Sequence, residues 1–120
     1  MMRHSRSALL LAALLGATAP AAGQETCKPV LWTKSSGHSD VVNFQRRWRG
    51  VFSVDPSRCS TARGTFEIEF VRLKDVGPDL TFTERFAWMG EETEANLDLT
   101  WDEWVSASRV REVEPCPCRH

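Results

Sequence analysis

The stretch that decides the fold is residues 64–88, which read GTFEIEFVRLKDVGPDLTFTERFAW. Two apolar runs flank a turn-forming VGPD segment at residues 76–79. In both runs, apolar side chains occupy every second position: Phe66, Ile68 and Phe70, then Leu80, Phe82, Phe86 and Trp88. Because alternate side chains of a strand point to opposite faces, this pattern predicts two neighbouring antiparallel strands, each with one buried face.

Similar alternation occurs on both sides of this hairpin, at residues 41–54 (VVNFQRRWRGVFSV) and 94–101 (EANLDLTW). A short β-rich run at residues 30–33 precedes a polar, turn-like segment at residues 34–40. Gly50 interrupts the alternation, which is typical of a bulge or a close backbone approach.

The connections between these runs are short, and no helix alternates with them. The sequence therefore predicts an all-β fold, a small antiparallel two-sheet β-sandwich of immunoglobulin/fibronectin-like architecture. The spacing of cysteine and tryptophan is not that of a true immunoglobulin domain. The prediction accordingly concerns the architecture alone.

The segment at residues 102–112 fits either a helix or a strand. Thr100 and Glu103 match a capping box, in which the two side chains satisfy free N–H groups at a helix start. Residues 105–113, in contrast, alternate and are rich in valine. We predict one short helical turn near 101–105 followed by a strand, with a helix over 102–112 as the alternative.

The N-terminus has the layout of a secretory signal peptide, which we assign to residues 1–23. Arg3 and Arg6 precede an apolar run of eight residues, and small residues follow up to Gly23. The run is too short to span a bilayer, which needs about 20 residues. We therefore expect a single mature domain at residues 24–120, secreted or periplasmic, without a membrane span.

All four cysteines, Cys27, Cys59, Cys116 and Cys118, lie in the mature part. In an oxidising compartment such cysteines usually form disulfides. A single intervening proline strains a Cys116–Cys118 bond. Two arrangements remain, and both tie the tail to Cys27 and Cys59. The alternative is a soft-metal site in the CPCRH tail, using Cys116, Cys118 and His120.

Charge and motifs argue against nucleic acid and catalysis. Removing Arg3 and Arg6 from the 15 basic residues leaves 13 against 16 acidic ones, a net charge of −3, which does not favour nucleic-acid binding. The chain has no GxSxG, HExxH, phosphate-binding loop or zinc-finger spacing. His38, Ser39 and Asp40 are adjacent and would point apart. We expect no enzyme activity and no cofactor.

Three residues form a candidate ligand site. Arg47 and Arg49 lie on the outward parity of a strand and suit an anion or an acidic glycan. Trp104 is the tryptophan we expect to be exposed and available for stacking. The simpler interpretation is that both arginines pair with glutamates, such as Glu67 and Glu69, on a neighbouring strand.

Arg46, Arg72 and Glu84 occupy the apolar parity of their strands and should therefore point toward the core or its rim. A buried charge requires a partner. If the hairpin turns about Pro78, Arg72 lies opposite Glu84, which predicts a structural ion pair between them, with Arg46 nearby.

These observations predict a non-catalytic binding or interaction module. Its expected partner is another envelope or extracellular protein, bound through an exposed sheet face or an edge strand. The alternatives are an anion- or carbohydrate-binding module that uses Arg47, Arg49 and Trp104, and a metal-handling protein that uses the tail.

Overall fold

The computed structural model describes residues 26–120, so the predicted signal peptide lies outside the described residues. Every element of this part is a β-strand, and all strand pairs are antiparallel. The strands are β1 (Thr26–Cys27), β2 (Val30–His38), β3 (Gln45–Asp55), β4 (Arg63–Lys74), β5 (Leu80–Met89), β6 (Glu92–Thr100), β7 (Glu103–Val113) and β8 (Cys116–Pro117). Within this range no helix is long and apolar enough to cross a membrane.

Two three-stranded sheets, β2-β3-β6 and β5-β4-β7, pack face to face, while β1 and β8 form a separate two-stranded ribbon. The predicted β-sandwich is thus confirmed. Aromatic rings join the sheets edge to face: Trp48 meets Phe70 at 4.9 Å and Phe52 meets Phe66 at 5.4 Å between ring centroids. The core is built by the inward parity of five strands, β3 to β7, which supplies Trp48, Phe52, Val54, Phe66, Ile68, Phe70, Trp88, Ala95, Leu99 and Val105.

The central hairpin is centred on Val76, which sets Phe70 opposite Phe82 and Gly64 opposite Trp88. At Gly64, an added Cβ would lie 2.8 Å from the indole Nε1 of Trp88. A shift of two residues would retain the apolar parity but would remove the glycine from beneath the indole ring. This fit between ring and glycine is specific to the observed register.

The first half of the chain departs from the prediction in two places. The segment at 34–40, predicted as a turn, mostly continues β2, whose pairing with β3 shifts between Thr33 and Ser35. Strand β3 begins at Gln45 rather than at residue 41, because residues 42–45 form a tight turn. Gly50 marks a close approach between the backbone and the ring of Trp48 rather than a bulge, since an added Cβ would lie 2.5 Å from that ring.

The ambiguous segment is strand β7, so both the helical turn near 101–105 and the helix over 102–112 are wrong. The capping-box contacts form nevertheless: Glu103 Oε1 accepts hydrogen bonds from the Thr100 amide and hydroxyl, each at 2.8 Å. They close the turn between β6 and β7 instead of starting a helix. Pairing with β4 buries Val105 opposite Arg72, and this tertiary contact overrides the local helix signal.

Alternating strand directions place the connections at two opposite ends of the sandwich. One end carries the loops at residues 39–44, 75–79 and 101–102. They touch one another through hydrogen bonds from Trp101 N–H to Phe44 O (2.9 Å) and from Asp75 N–H to Asp102 O (3.1 Å). The other end carries residues 56–62, 90–91 and the C-terminal tail.

Candidate functional site

Two disulfides close the end that carries the tail, which we call the disulfide end. Cys27 bonds Cys118 and Cys59 bonds Cys116, with Cα–Cα distances of 5.0 and 5.6 Å. The prediction that all four cysteines form disulfides is confirmed. Such bonds indicate an oxidising environment, extracellular or periplasmic.

The tail lies between β1 and the Cys59 loop. Ser60 N–H donates to Pro117 O at 2.8 Å, and Arg119 N–H donates to Arg58 O at 2.7 Å. No free cysteine remains, so the CPCRH tail has no thiolate to offer a metal. Residues 26–120 also contain no group of three or more histidine, cysteine or acidic side chains placed to hold a metal ion.

The opposite end of the sandwich exposes six large apolar side chains, and we call this group of residues the apolar end. Phe44 is 78% exposed and Val76 is 79% exposed. The full set lies on the three connecting loops and the first residue of β5: Val41, Val42, Phe44, Val76, Leu80 and Trp101. The loops have clustered these side chains at one end of the sandwich without burying them.

Phe44 has an unusual backbone conformation. Asn43 and Phe44 have φ angles of 53° and 62°, and Val42 and Gln45 exchange hydrogen bonds of 2.8 and 3.1 Å around them. Two-residue hairpin turns need this left-handed geometry. Asparagine tolerates it, whereas a residue with a bulky side chain adopts it rarely and at a steric cost. For an L-residue it costs about 1–2 kcal/mol. Burial of the ring does not offset this cost, because the ring is exposed.

Acidic residues accompany the apolar end. Its three loops read SDVVNF, DVGPD and WD, and they contain four aspartates but no lysine or arginine. The carboxylates belong to Asp40, Asp75, Asp79 and Asp102, so the three loops contribute four negative charges and no positive charge of their own.

An ion pair beneath the loops supports the apolar end. Arg72 Nη1 lies 2.9 Å from Glu103 Oε2, and the two side chains are only 20% and 12% exposed. Arg72 Nη2 also donates to Pro78 O at 3.3 Å. The hydrogen bonds from the Thr100 amide and hydroxyl, and then the charge of Arg72, hold the pKa of Glu103 below its ordinary value, against the effect of burial.

The predicted partner of Arg72 is therefore wrong. Since the hairpin centres on Val76, Arg72 lies opposite Leu80. Glu84 lies opposite Ile68, which is four residues before Arg72 on β4. Glu84 is exposed on the edge strand β5. Arg46 does point to the rim, as its parity predicted, but it donates to the carbonyl of Trp101 at 3.0 Å.

His38 joins the two sheets at this end. Its Nε2 accepts the backbone N–H of Val105 at 3.0 Å, which requires a neutral ring with the proton on Nδ1. Burial, and then the positive charge of Arg46, lower the pKa of His38 below its ordinary value. The ring is thus an acceptor that holds β2 beside β7.

Arg47 and Arg49 are brought together on the outer face of the sheet β2-β3-β6, where both line one groove. Arg47 pairs with Asp98 at 2.9 Å and Arg49 with Glu94 at 2.8 Å, both across to β6. The predicted kind of cross-strand pairing is correct, but Glu67 and Glu69 belong to the other sheet. Trp104 is half-buried on β7 of that sheet, apart from the arginines.

Sequence reasoning missed the exposed aromatic residues. Phe44 and Trp101 share the parity of core residues, and Trp32 lies in the short β-rich run at residues 30–33, yet Trp32 and Trp101 are 50% and 52% exposed. The available signal was their position beside polar or acidic turn residues. No protein-family model, curated protein or solved structure matches the chain. Function is therefore inferred from the chemistry of the apolar end and of the outer face of the sheet β2-β3-β6.

Proposed function

We propose that this chain is a small, non-catalytic binding module, exported to the periplasm or the cell exterior, that recognises a partner protein through its apolar end. The observation that carries the proposal is Phe44, which holds a strained left-handed backbone while presenting its ring to solvent. Strain of this kind persists where it serves a function. A residue needed only for folding would be replaced by glycine or asparagine in this turn.

The surroundings of Phe44 define the chemistry of the partner. Val41, Val42 and Trp101 extend the apolar surface, and exposed aromatic residues supply most of the binding energy in protein interfaces. The four aspartates of the loops favour a partner whose apolar pocket is rimmed by lysine or arginine. They oppose binding to anionic lipid, which attracts basic segments.

Export is part of the same proposal. The predicted signal peptide at residues 1–23 directs the chain out of the cytoplasm. The two disulfides then form in the oxidising compartment that the chain reaches. A catalytic role finds no support in the geometry around His38, whose Nε2 is occupied by the Val105 amide. His38, Ser39 and Asp40 also do not form a triad, because the Ser39 hydroxyl bonds backbone groups of Arg47 and Asp40.

The test is capture of the partner by the immobilised mature protein, followed by titration of the purified pair. Phe44→Gly removes the ring and relieves the left-handed backbone, so it should weaken binding at least tenfold while the protein stays folded. A quadruple Asp→Asn variant of the loops should weaken binding and reduce its dependence on salt. Met89→Ser removes a 68%-exposed apolar residue at the disulfide end and should leave the affinity unchanged.

The proposal is contradicted if Phe44→Gly binds the captured protein as tightly as the wild type. Equal loss in Met89→Ser would likewise show that nonspecific apolar contact explains the capture. Binding to anionic vesicles that depends on Phe44 would replace the protein partner by a membrane surface.

A further inference from the structure

The outer face of the sheet β2-β3-β6 carries a groove. One depression of about 420 Å³ is lined by Ser35, Gly37, Ser39 and both Arg47 and Arg49. A second, of about 620 Å³, is lined by residues that include Lys34, Glu92 and Glu94. Ser35, Arg49 and Val51 line both, so the two depressions form one continuous groove across the strands.

Three cross-strand ion pairs lie along this groove: Lys34–Glu92, Arg47–Asp98 and Arg49–Glu94. Each positive charge is matched by a negative one, so the array has no net charge. Arg47 donates to its partner through Nε and Arg49 donates through Nη2. Because a guanidinium has five N–H donors, each arginine keeps further donors for a ligand. The groove therefore offers many hydrogen-bond donors and acceptors without selecting for an ion, which suits a neutral ligand rich in hydroxyl groups.

Gly37 keeps the groove open. It lies opposite Arg49 on the same face, and no heavy atom stands within 4 Å of the place a Cβ would occupy. The packing of the protein therefore does not require glycine at this position. A side chain here would project into the groove instead.

Trp32 adds an aromatic surface on the same face. It pairs with Ser53, the next outward position of β3 after Val51, and is 50% exposed. At about 3.3 Å per residue, the distance along β2 from Trp32 to its last residue, His38, is roughly 20 Å, longer than a single sugar ring. A flat, amphipathic indole beside polar groups matches a sugar ring, which is apolar on its faces and polar at its edge.

From this arrangement we propose that the groove binds a neutral oligosaccharide. Trp32 stacks on one ring, and Ser35, Arg47 and Arg49 with their carboxylate partners hydrogen-bond the hydroxyls of the next rings. Of the groove residues, only Ser39 belongs to a loop of the apolar end. The glycan and the partner protein are therefore bound by different faces of the protein.

The experiment is a glycan array carrying neutral and acidic oligosaccharides, probed with the mature disulfide-bonded protein, followed by titration calorimetry of the best ligand. Gly37→Val should reduce the affinity at least tenfold by filling the groove, and the fold should be retained because no heavy atom lies within 4 Å of the added Cβ. Trp32→Ala should have an effect of about the same size, as for other aromatic anchors. Thr83→Val, exposed on the other sheet, should bind like the wild type.

Neutral glycan binding that is lost in Gly37→Val and Trp32→Ala, but retained in Thr83→Val, supports the site. Absence of binding across the array overturns it, as does binding unaffected by Gly37→Val. Preferential binding of uronate or sulfated oligosaccharides also overturns it, because the balanced ion pairs would then not define the ligand.

Discussion

The two ends of this sandwich are built by opposite means. The disulfide end is covalently closed: both disulfides and the β8 tail lie there, and Cys59 is fully buried. The apolar end is held by the Arg72–Glu103 pair and by single hydrogen bonds such as His38–Val105. It also exposes large apolar side chains and carries the strained Phe44.

This difference suggests a division of roles. A domain as short as the one described at residues 26–120 has a small core and correspondingly low stability. Two disulfides supply stability without using apolar surface. The opposite end can then tolerate a strained turn and unburied aromatic residues, which are the features of a binding surface.

The largest effect is expected from opening the disulfide end. The pair of changes Cys59→Ser and Cys116→Ser should lower the free energy of unfolding by about 2–5 kcal/mol, because the denatured chain regains the freedom of a long loop. Urea denaturation followed by tryptophan fluorescence measures this loss. A loss below about 1 kcal/mol would contradict the interpretation that the disulfides supply the stability that the apolar end lacks.

The next effect is expected beneath the apolar end. Glu103→Gln should cost about 3 kcal/mol, because it leaves the mostly buried Arg72 without a carboxylate. The same urea titration measures it. Glu92→Gln is the matched control: its Lys34 pair is exposed, so the change should cost less than about 1 kcal/mol. Equal costs for the two variants would show that the Arg72–Glu103 pair has no special role.

At the Phe44 turn, the change should be stabilising. Phe44→Gly should raise the free energy of unfolding by about 1 kcal/mol, since glycine adopts a positive φ without steric cost. The neighbouring Asn43→Gly should gain less, because asparagine already tolerates this conformation. Thermal unfolding of both variants tests the difference. A loss of stability in Phe44→Gly would mean that the exposed ring stabilises the fold and is not held there for binding.

The smallest effect is expected from pH. The folded-state pKa of His38 lies below its unfolded value of 6.5, so the unfolded chain binds the proton more readily. The stability from this group is complete above pH 6.5 and is lost as pH falls toward the folded pKa. The loss should stay below about 1 kcal/mol, the contribution of one hydrogen bond, because His38 is largely exposed to solvent. His38→Gln retains an acceptor without titrating, so its stability should be flatter between pH 7 and 5 in the same urea titrations.

Much of the fold was predictable because strand parity is a local property. The alternation of Phe66, Ile68 and Phe70 requires a two-faced strand whatever its neighbour is. The disulfides were predictable for a similar reason, since the predicted signal peptide leads us to expect an oxidising compartment, in which cysteines form disulfides. Even the contacts of Thr100 with Glu103 were correctly identified, although they close a hairpin turn and not a helix.

Hairpin register, sheet membership and exposure were not predictable, because each depends on residues distant in sequence. Register shifts by an even number of residues preserve parity, so parity does not distinguish Arg72 opposite Leu80 from Arg72 opposite Glu84, four residues away. The packing of Trp88 over Gly64 belongs to the first register. The β7 strand then brings Glu103 to Arg72.

Local periodicity and cysteine content thus determine that this chain is a disulfide-bonded β-sandwich. The packing of the sheets and the positions of the loops decide which charges pair, and they leave Phe44 and Trp32 exposed. The reason is physical: alternation states only that a side chain points to one face, whereas burial depends on whether another part of the chain covers that face.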